Sequence, residues 1–155
     1  MITDNKDMVG AIRITEEKYK TQFVVPTSLY YRFTVKNISN ESAFCSNLHN
    51  IKLTIEPDET LLAVIIKAFG LNIYDVDKNK LGWSQFVKEL SPKKMSEFSL
   101  VYTLGEKQKN VIFPPLPKKE VLQAIKDNAL KATLIVSQDI REIARFKLNS
   151  NKYKL

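Results

Sequence analysis

The alternation of apolar and polar residues at positions 29–36 constrains the fold of this chain most. The two sets are Leu29, Tyr31, Phe33 and Val35 on one side and Tyr30, Arg32, Thr34 and Lys36 on the other. Successive side chains of a strand point to opposite faces of its sheet, so the first set is predicted to face a core and the second solvent. The pattern predicts a β-strand in a sheet that is covered on one face.

The same two-residue period recurs at residues 51–55, 98–104 and 144–148. Strands spaced at roughly 10–15 residues are typical of a β-sandwich rather than of a βαβ sheet. We therefore expect a mainly β chain, an antiparallel β-sandwich of about eight strands, with one domain over residues 9–148. Residues 1–8 are predicted to be disordered and residues 149–155 to be a frayed tail. A chain of 155 residues can bury a core without a disulfide or metal.

The segments between these strands carry further predictions. Residues 9–14 and 22–25 are expected to be short extended pieces, and residues 56–59 a tight turn with Pro57 at its second position. The apolar, β-branched run at residues 61–67 predicts a buried strand. Residues 71–74 and 81–87 are expected to form a β-hairpin around the polar loop 75–80.

One helix and a closing hairpin are expected near the C-terminus. Pro117 suits the first position of a helix, and Val121, Leu122 and Ile125 form an apolar stripe, which together predict a helix over residues 118–131. Residues 133–136 and 143–148 then predict a hairpin. The lysines of the helix allow a second interpretation as a basic membrane-surface element, but its stripe is more simply used to cap the sandwich.

Three stretches of the chain resemble a known architecture. They are residues 31–37 (Tyr-Arg-Phe-Thr-Val-Lys-Asn), residues 71–82, which contain Tyr-Asp and later Lys-Leu-Gly, and residues 97–102 (Glu-Phe-Ser-Leu-Val-Tyr). In this order they resemble bacterial immunoglobulin-like or fibronectin-like β-sandwich domains. The resemblance implies an immunoglobulin-like fold and a place in envelope lipoproteins, surface adhesins or periplasmic assemblies. The predicted helix and the lack of a Cys-Trp-Cys core depart from it, and it carries over no functional residue.

The net charge of +7 comes mainly from lysine. The four arginines, which suit bidentate recognition of phosphates and bases better, are Arg13, Arg32, Arg141 and Arg145. A lysine excess spread along the chain indicates a solubilising surface. The alternative is a basic nucleic-acid-binding module of a cytoplasmic or phage-encoded protein.

The sequence contains no motif that indicates catalysis or a cofactor. Cys45 and His49 are the single cysteine and histidine, too few for the common zinc sets within one chain. Asp75, Asp77 and Asn79 have the spacing that opens a calcium-binding loop, but the sixth position of that loop is a lysine and the twelfth is Phe86 instead of glutamate. A weaker calcium site shared with the acidic turn at residues 56–59 stays open. We expect no catalytic residue, no metal and no cofactor.

Two groups of residues are the candidates for contact with a partner. Tyr74, Trp83 and Phe86 lie on the predicted middle hairpin, and aromatic residues are frequent interface anchors. The alternative for Trp83 is the core tryptophan of the sandwich. Tyr30, Arg32 and Lys36 lie on the predicted outer face of the clearest strand, where stacking and positive charge suit nucleic acid or protein, unless the face is simply solvated.

These observations together predict a non-enzymatic protein-binding or structural module. The expected setting is an extracytoplasmic domain of a bacterial envelope or surface assembly, in the periplasm or at the cell surface, with the cytoplasm as the alternative. Residues 1–7 lack the apolar region of a signal peptide, so a signal or anchor would lie beyond these residues. A protein partner is expected, nucleic acid and an anchored membrane surface are alternatives, and a small-molecule substrate is not expected.

Overall fold

The structure, a computed structural model, describes residues 1–4, 12–15, 21–40, 51–79, 81–84, 91–107, 112–138 and 140–149. It is mainly β, with two antiparallel sheets and a separate strand pair. In chain order the elements are β1 (Ile2–Asp4), β2 (Ile12–Thr15), β3 (Thr21–Val24), β4 (Thr27–Lys36), β5 (Ile51–Pro57), α1 (Glu59–Phe69), α2 (Val76–Asn79), β6 (Gly82–Ser84), β7 (Met95–Gly105), α3 (Lys119–Asn128), β8 (Ala132–Gln138) and β9 (Arg141–Lys147).

The first sheet has the strand order β1-β4-β7-β6 and is built on the two longest strands. β4 pairs with β7 from Thr27 to Lys36, with Phe33 opposite Phe98. Leu29 and Tyr31 are buried in the core, and Phe33 and Val35 pack against it. The predicted strands at residues 29–36 and 98–104 are therefore confirmed, as is the inward face of the first one.

The second sheet has the order β5-β8-β9. On β5 the inward residues are Ile51, Leu53 and Ile55. Leu53 lies opposite Val136 of β8, and Ile55 lies opposite Leu134. The predicted strand at residues 51–55 and the predicted closing hairpin are both present. The inward residues of both sheets belong to one apolar core that also includes Leu61, Ile65 and Ile125 of the helices.

The run at residues 61–67 is a helix, and the prediction of a buried strand is wrong. Asp58 caps the helix, since its carboxylate accepts a hydrogen bond of 2.9 Å from the Leu61 N–H. At the other end Gly70 has a φ of 71°, a left-handed conformation that favours glycine, and its N–H donates to the Ile66 carbonyl. Pro57 is the last residue of β5, so the expected tight turn at residues 56–59 is instead a strand-to-helix junction.

The predicted middle hairpin is wrong in its first arm. Residues 71–74 form a turn, because the Asn72 side chain accepts a hydrogen bond from the Tyr74 N–H at 3.0 Å. The Asn79 amide donates to the Asn72 carbonyl at 2.6 Å, which closes the segment around the short helix α2. In the predicted second arm, β6 covers Gly82–Ser84, and residues 85–87 lie outside the described part of the chain.

The prediction for the N-terminal end is partly wrong, and the helix predicted near the C-terminal end is present. The disorder expected for residues 1–8 is wrong at Ile2–Asp4, which forms β1 and pairs antiparallel with β4. Helix α3, at Lys119–Asn128, lies inside the predicted range of 118–131 but is not the only helix. Residues 5–8 and 150–155 lie outside the described residues.

The cross-strand pair Phe33–Phe98 offers a matched test of the core. Phe98 is 0% exposed and Phe33 is only partly buried. We expect Phe98→Ala to lower the free energy of unfolding by about 3–5 kcal/mol and Phe33→Ala by less than about 2 kcal/mol. Urea unfolding of both variants checks this, and equal losses would contradict the difference in burial between Phe98 and Phe33.

Candidate functional site

Tyr30, Arg32 and Lys36 lie on the outer side of β4, but they do not form one exposed surface. Arg32 and Lys36 are exposed, as the alternation predicted. Tyr30 is only 5% exposed, and so is wrongly predicted to face solvent. Val101, directly opposite Tyr30 on β7, is 1% exposed, so this end of the sheet is covered on both faces. Tyr30 therefore has no free ring face for stacking on a partner.

The aromatic group expected on the middle hairpin is not assembled there. Tyr74 is 6% exposed and belongs to the core, which removes it from the surface that a partner could touch. The backbone of Trp83 pairs with Val101 on β7. Phe86 lies outside the described residues.

Tyr74 instead joins Tyr31 and Tyr102 in a buried tyrosine cluster. The Tyr31 hydroxyl donates to the Ala129 carbonyl at 2.8 Å, so the Tyr74 hydroxyl, 2.8 Å from that of Tyr31, is the donor of the bond between them. The Tyr74 and Tyr102 rings lie 4.5 Å apart between centroids, and Tyr31 meets Tyr102 edge to face at 6.0 Å. These contacts connect β4, β7, the turn before α2 and the end of α3.

Burial keeps the three hydroxyls neutral. Loss of hydration raises the pKa of Tyr31 to about 12, although its hydrogen bond with Tyr74 opposes the shift. Burial is also the largest cause of the raised pKa of Tyr74 and of Tyr102. At neutral pH the cluster can donate hydrogen bonds but does not act as a base, which fits a role in holding the fold.

Three of the aspartates predicted for a calcium site are engaged by neighbours. Asp58 caps α1, the Lys78 ammonium lies 2.9 Å from the Asp75 carboxylate, and that of Lys52 lies 3.6 Å from Asp77. Within the described ranges, no group of three histidine, cysteine, aspartate or glutamate residues is placed to hold a metal ion.

A small open pocket lies beside the outer side of β4. Its volume is about 250 Å³ and its lining is Met1, Tyr30, Tyr31, Arg32 and Ser99. Ligand pockets are commonly larger, about 300–1,000 Å³. Arg32 is the one charged side chain of this lining, and the Met1 amino group, which donates to the Tyr30 carbonyl at 2.9 Å, is a second positive group there.

Helix α1 presents a half-exposed apolar face that the strand prediction missed. Leu61 and Ile65 are fully buried, whereas Ile66 is 43% exposed and Leu62 is intermediate. Leu62 and Ile66 have the i, i+4 spacing of one helix face and form what we call the outer stripe, whereas Phe69 packs against the core. Residues 61–66 are all apolar in the sequence. A strand with this pattern would be buried on both faces, so the sequence did not predict an exposed apolar face here.

A second unpredicted surface lies where β4 ends and β7 begins. It consists of Lys36, Ile38, Lys93, Lys94 and Met95, and we call it the lysine tip. Ile38 is 79% exposed and Met95 is 65% exposed. Lys36 lies directly opposite Met95, and the Asn37 N–H donates to the Lys94 carbonyl at 3.0 Å. Only Lys36 of this group was a candidate from the sequence, because the contacts between the two strand ends are not visible there.

Comparisons of the chain with protein-family models, with curated proteins and with solved structures find no match in any of the three. Among the helices of the described residues, none has the length and apolar character needed to cross a membrane.

The raised tyrosine pKa values predict a loss of stability at high pH. The folded state keeps protons that an unfolded tyrosine releases near pH 10, so stability should fall as the pH rises from about 10 towards 12, by up to about 1.4 kcal/mol per pH unit for each tyrosine. Tyr31→Phe should have a shallower slope above pH 10. It should also be less stable at neutral pH by about 1–3 kcal/mol, because two hydrogen bonds are lost.

Urea unfolding at a series of pH values, with tyrosinate absorbance followed in parallel, measures both effects. Since lysines titrate in both proteins, the difference between the two profiles isolates Tyr31. Parallel profiles above pH 10 would contradict the assignment.

Proposed function

We propose that this protein is a non-enzymatic protein-binding module and that the outer stripe of α1 is its docking surface. The observation that carries the proposal is a helix that is apolar around most of its circumference yet fully buried only at Leu61 and Ile65. A helix that is apolar all round normally has its whole surface covered. In α1 the uncovered part is available to a partner.

The residues around the outer stripe extend its apolar character. Lys67 is the one charged residue between Thr60 and Phe69. Leu71, just beyond the helix, is 38% exposed. Complete burial of an aliphatic side chain contributes about 1.5–3 kcal/mol, so covering the exposed parts of Leu62, Ile66 and Leu71 favours association by a few kcal/mol.

The proposed occupant is a partner protein that presents an amphipathic helix. The residues of the outer stripe form a ridge along α1, and such a ridge packs into the groove of another helix. The scarcity of charge on this face favours an apolar contact over an ionic one. A contact of this size alone is typical of a transient complex.

The edge strand β9 is a weaker candidate for a protein contact. Exposed strand edges recruit other strands, but native edges are commonly protected by charge and by bulges. β9 carries an irregularity in its pairing opposite Val136 and Ser137. Arg145 is also engaged, by Glu142 at 2.9 Å and by Glu56. These features favour α1 over β9 as the docking surface.

The wider proposal concerns the type of fold and the location of the protein. Two antiparallel sheets support a sandwich, and its immunoglobulin-like type is proposed on the resemblance of residues 31–37, 71–82 and 97–102. The location at a bacterial envelope or cell surface is proposed on the same resemblance. Nucleic-acid binding remains the alternative, and the net charge of +7 supports it.

The neighbouring residues Ile65 and Ile66 separate a structural from a binding role. Ile65 is 0% exposed, so Ile65→Ala should lower the free energy of unfolding by about 2–5 kcal/mol. Ile66→Ala should change it by less than about 1 kcal/mol, because the side chain is 43% exposed and alanine is the better helix former. Urea unfolding measures both, and a large loss for Ile66→Ala would show that the outer stripe serves stability.

The binding role is tested by placing a photo-crosslinking amino acid at position 66 in the native cells. We expect one discrete adduct with another protein, absent when Leu62→Gln is added and absent from the control position 120, which is exposed at the start of α3. An equal adduct from the control position would contradict the proposal. An adduct with the mass of two copies of this chain would assign the surface to self-association instead.

A further inference from the structure

We propose that the lysine tip docks on an anionic lipid surface, with Ile38 and Met95 entering the interfacial region of the bilayer. This proposal is independent of the docking surface on α1. Exposed aliphatic side chains flanked by lysines match a surface that is apolar below and negatively charged at its headgroups.

The apolar part of the tip is open to solvent. Ile38 and Met95 are 79% and 65% exposed, higher than the 43% of Ile66 on α1. Both lie close to the place where β4 ends and β7 begins. Met95 is directly opposite Lys36, which puts an apolar and a cationic residue at the same level of the sheet.

Hydrogen bonds fix the backbone of the tip. The Asn37 side chain accepts from the Ser39 N–H at 3.0 Å, and the Lys94 N–H donates to the Ser91 carbonyl at 3.1 Å. Lys93 has a φ of 60°. Its ammonium donates to the Ile38 carbonyl at 2.6 Å and so lies beside the apolar residue. An ammonium has three donors, so Lys93 can hold this bond and still meet a lipid phosphate.

The charge of the tip is positive. Among the described residues at this end of the sheet, Lys36, Lys93 and Lys94 outnumber Glu97, which lies two residues further along β7 than Met95. An anionic leaflet attracts such lysines within a distance of about one Debye length, roughly 8–10 Å at physiological salt.

The chemistry of the tip favours lipid over nucleic acid. Single-stranded nucleic acid is held by aromatic rings that stack on bases and by arginine, and the five residues of the tip include neither. Isoleucine and methionine offer no stacking surface, but both partition favourably into an apolar environment.

The first test is co-sedimentation of the full chain with phosphatidylcholine vesicles, with and without phosphatidylserine. We expect binding only to the phosphatidylserine vesicles, weakening as salt rises. The double variant Lys36→Gln/Lys94→Gln should lower the partition coefficient by about 30-fold. Lys93 is left intact because it also holds the tip. The matched control Lys118→Gln/Lys119→Gln removes the same charge from exposed positions at the start of α3 and should bind like the wild type.

A second measurement reports on insertion rather than on attraction alone. Ile38→Trp should give a blue-shifted tryptophan emission when phosphatidylserine vesicles are added, over the constant background of Trp83. Gln123→Trp, on the exposed side of α3, should give no shift. Circular dichroism of each variant confirms that the fold is retained.

Three results would overturn the proposal. The first is an absence of vesicle binding at low salt, and the second is an equal loss of binding in the Lys118/Lys119 control. The third is binding of single-stranded DNA that depends on Lys36 and Lys94 while vesicles are not bound, which would assign the tip to nucleic acid.

Discussion

The buried tyrosine cluster is the interaction on which the rest of the fold depends. Tyr31 of β4 donates to the Ala129 carbonyl at the end of α3 and accepts from Tyr74, whose ring packs on Tyr102 of β7. A hydrogen bond between the Tyr102 hydroxyl and the Ile55 backbone extends the connection to β5 in the second sheet. Each hydroxyl is polar and buried, so a lost partner costs more than the bond itself contributes, and the elements are held in one arrangement.

With the tyrosine hydroxyls bonded inside the core, the protein exposes apolar residues at two surfaces of different character. The outer stripe of α1 is apolar and nearly uncharged, which suits another protein surface. The lysine tip combines Ile38 and Met95 with three lysines, which suits a surface that is negatively charged outside and apolar inside. Taken together, the two proposals describe a module that brings a partner protein to an anionic lipid surface.

The parts of the fold that could be predicted are those with a local signal. The alternation at residues 29–36 predicts β4 and its inward face, and the same period predicts β7 and the hairpin of β8 and β9. Helix α1 was missed although Asp58 and Gly70 carry the signals of its two ends, because the β-branched run between them favours a strand. Of the candidate contacts, Arg32 and Lys36 are exposed, while Tyr30 and Tyr74 are buried by residues distant in the sequence.

The sequence by itself determined where β4 and β7 lie and which residues of β4 face the core, because a two-residue period is a property of a single strand. Only the tertiary structure decided which apolar residues are left uncovered. Ile65 and Ile66 are adjacent isoleucines, yet Ile65 is 0% exposed and Ile66 is 43% exposed, because the core lies on one side of α1. The lysine tip likewise exists only because β4 and β7 pair in a register that brings Lys36 opposite Met95 across 59 positions of the chain.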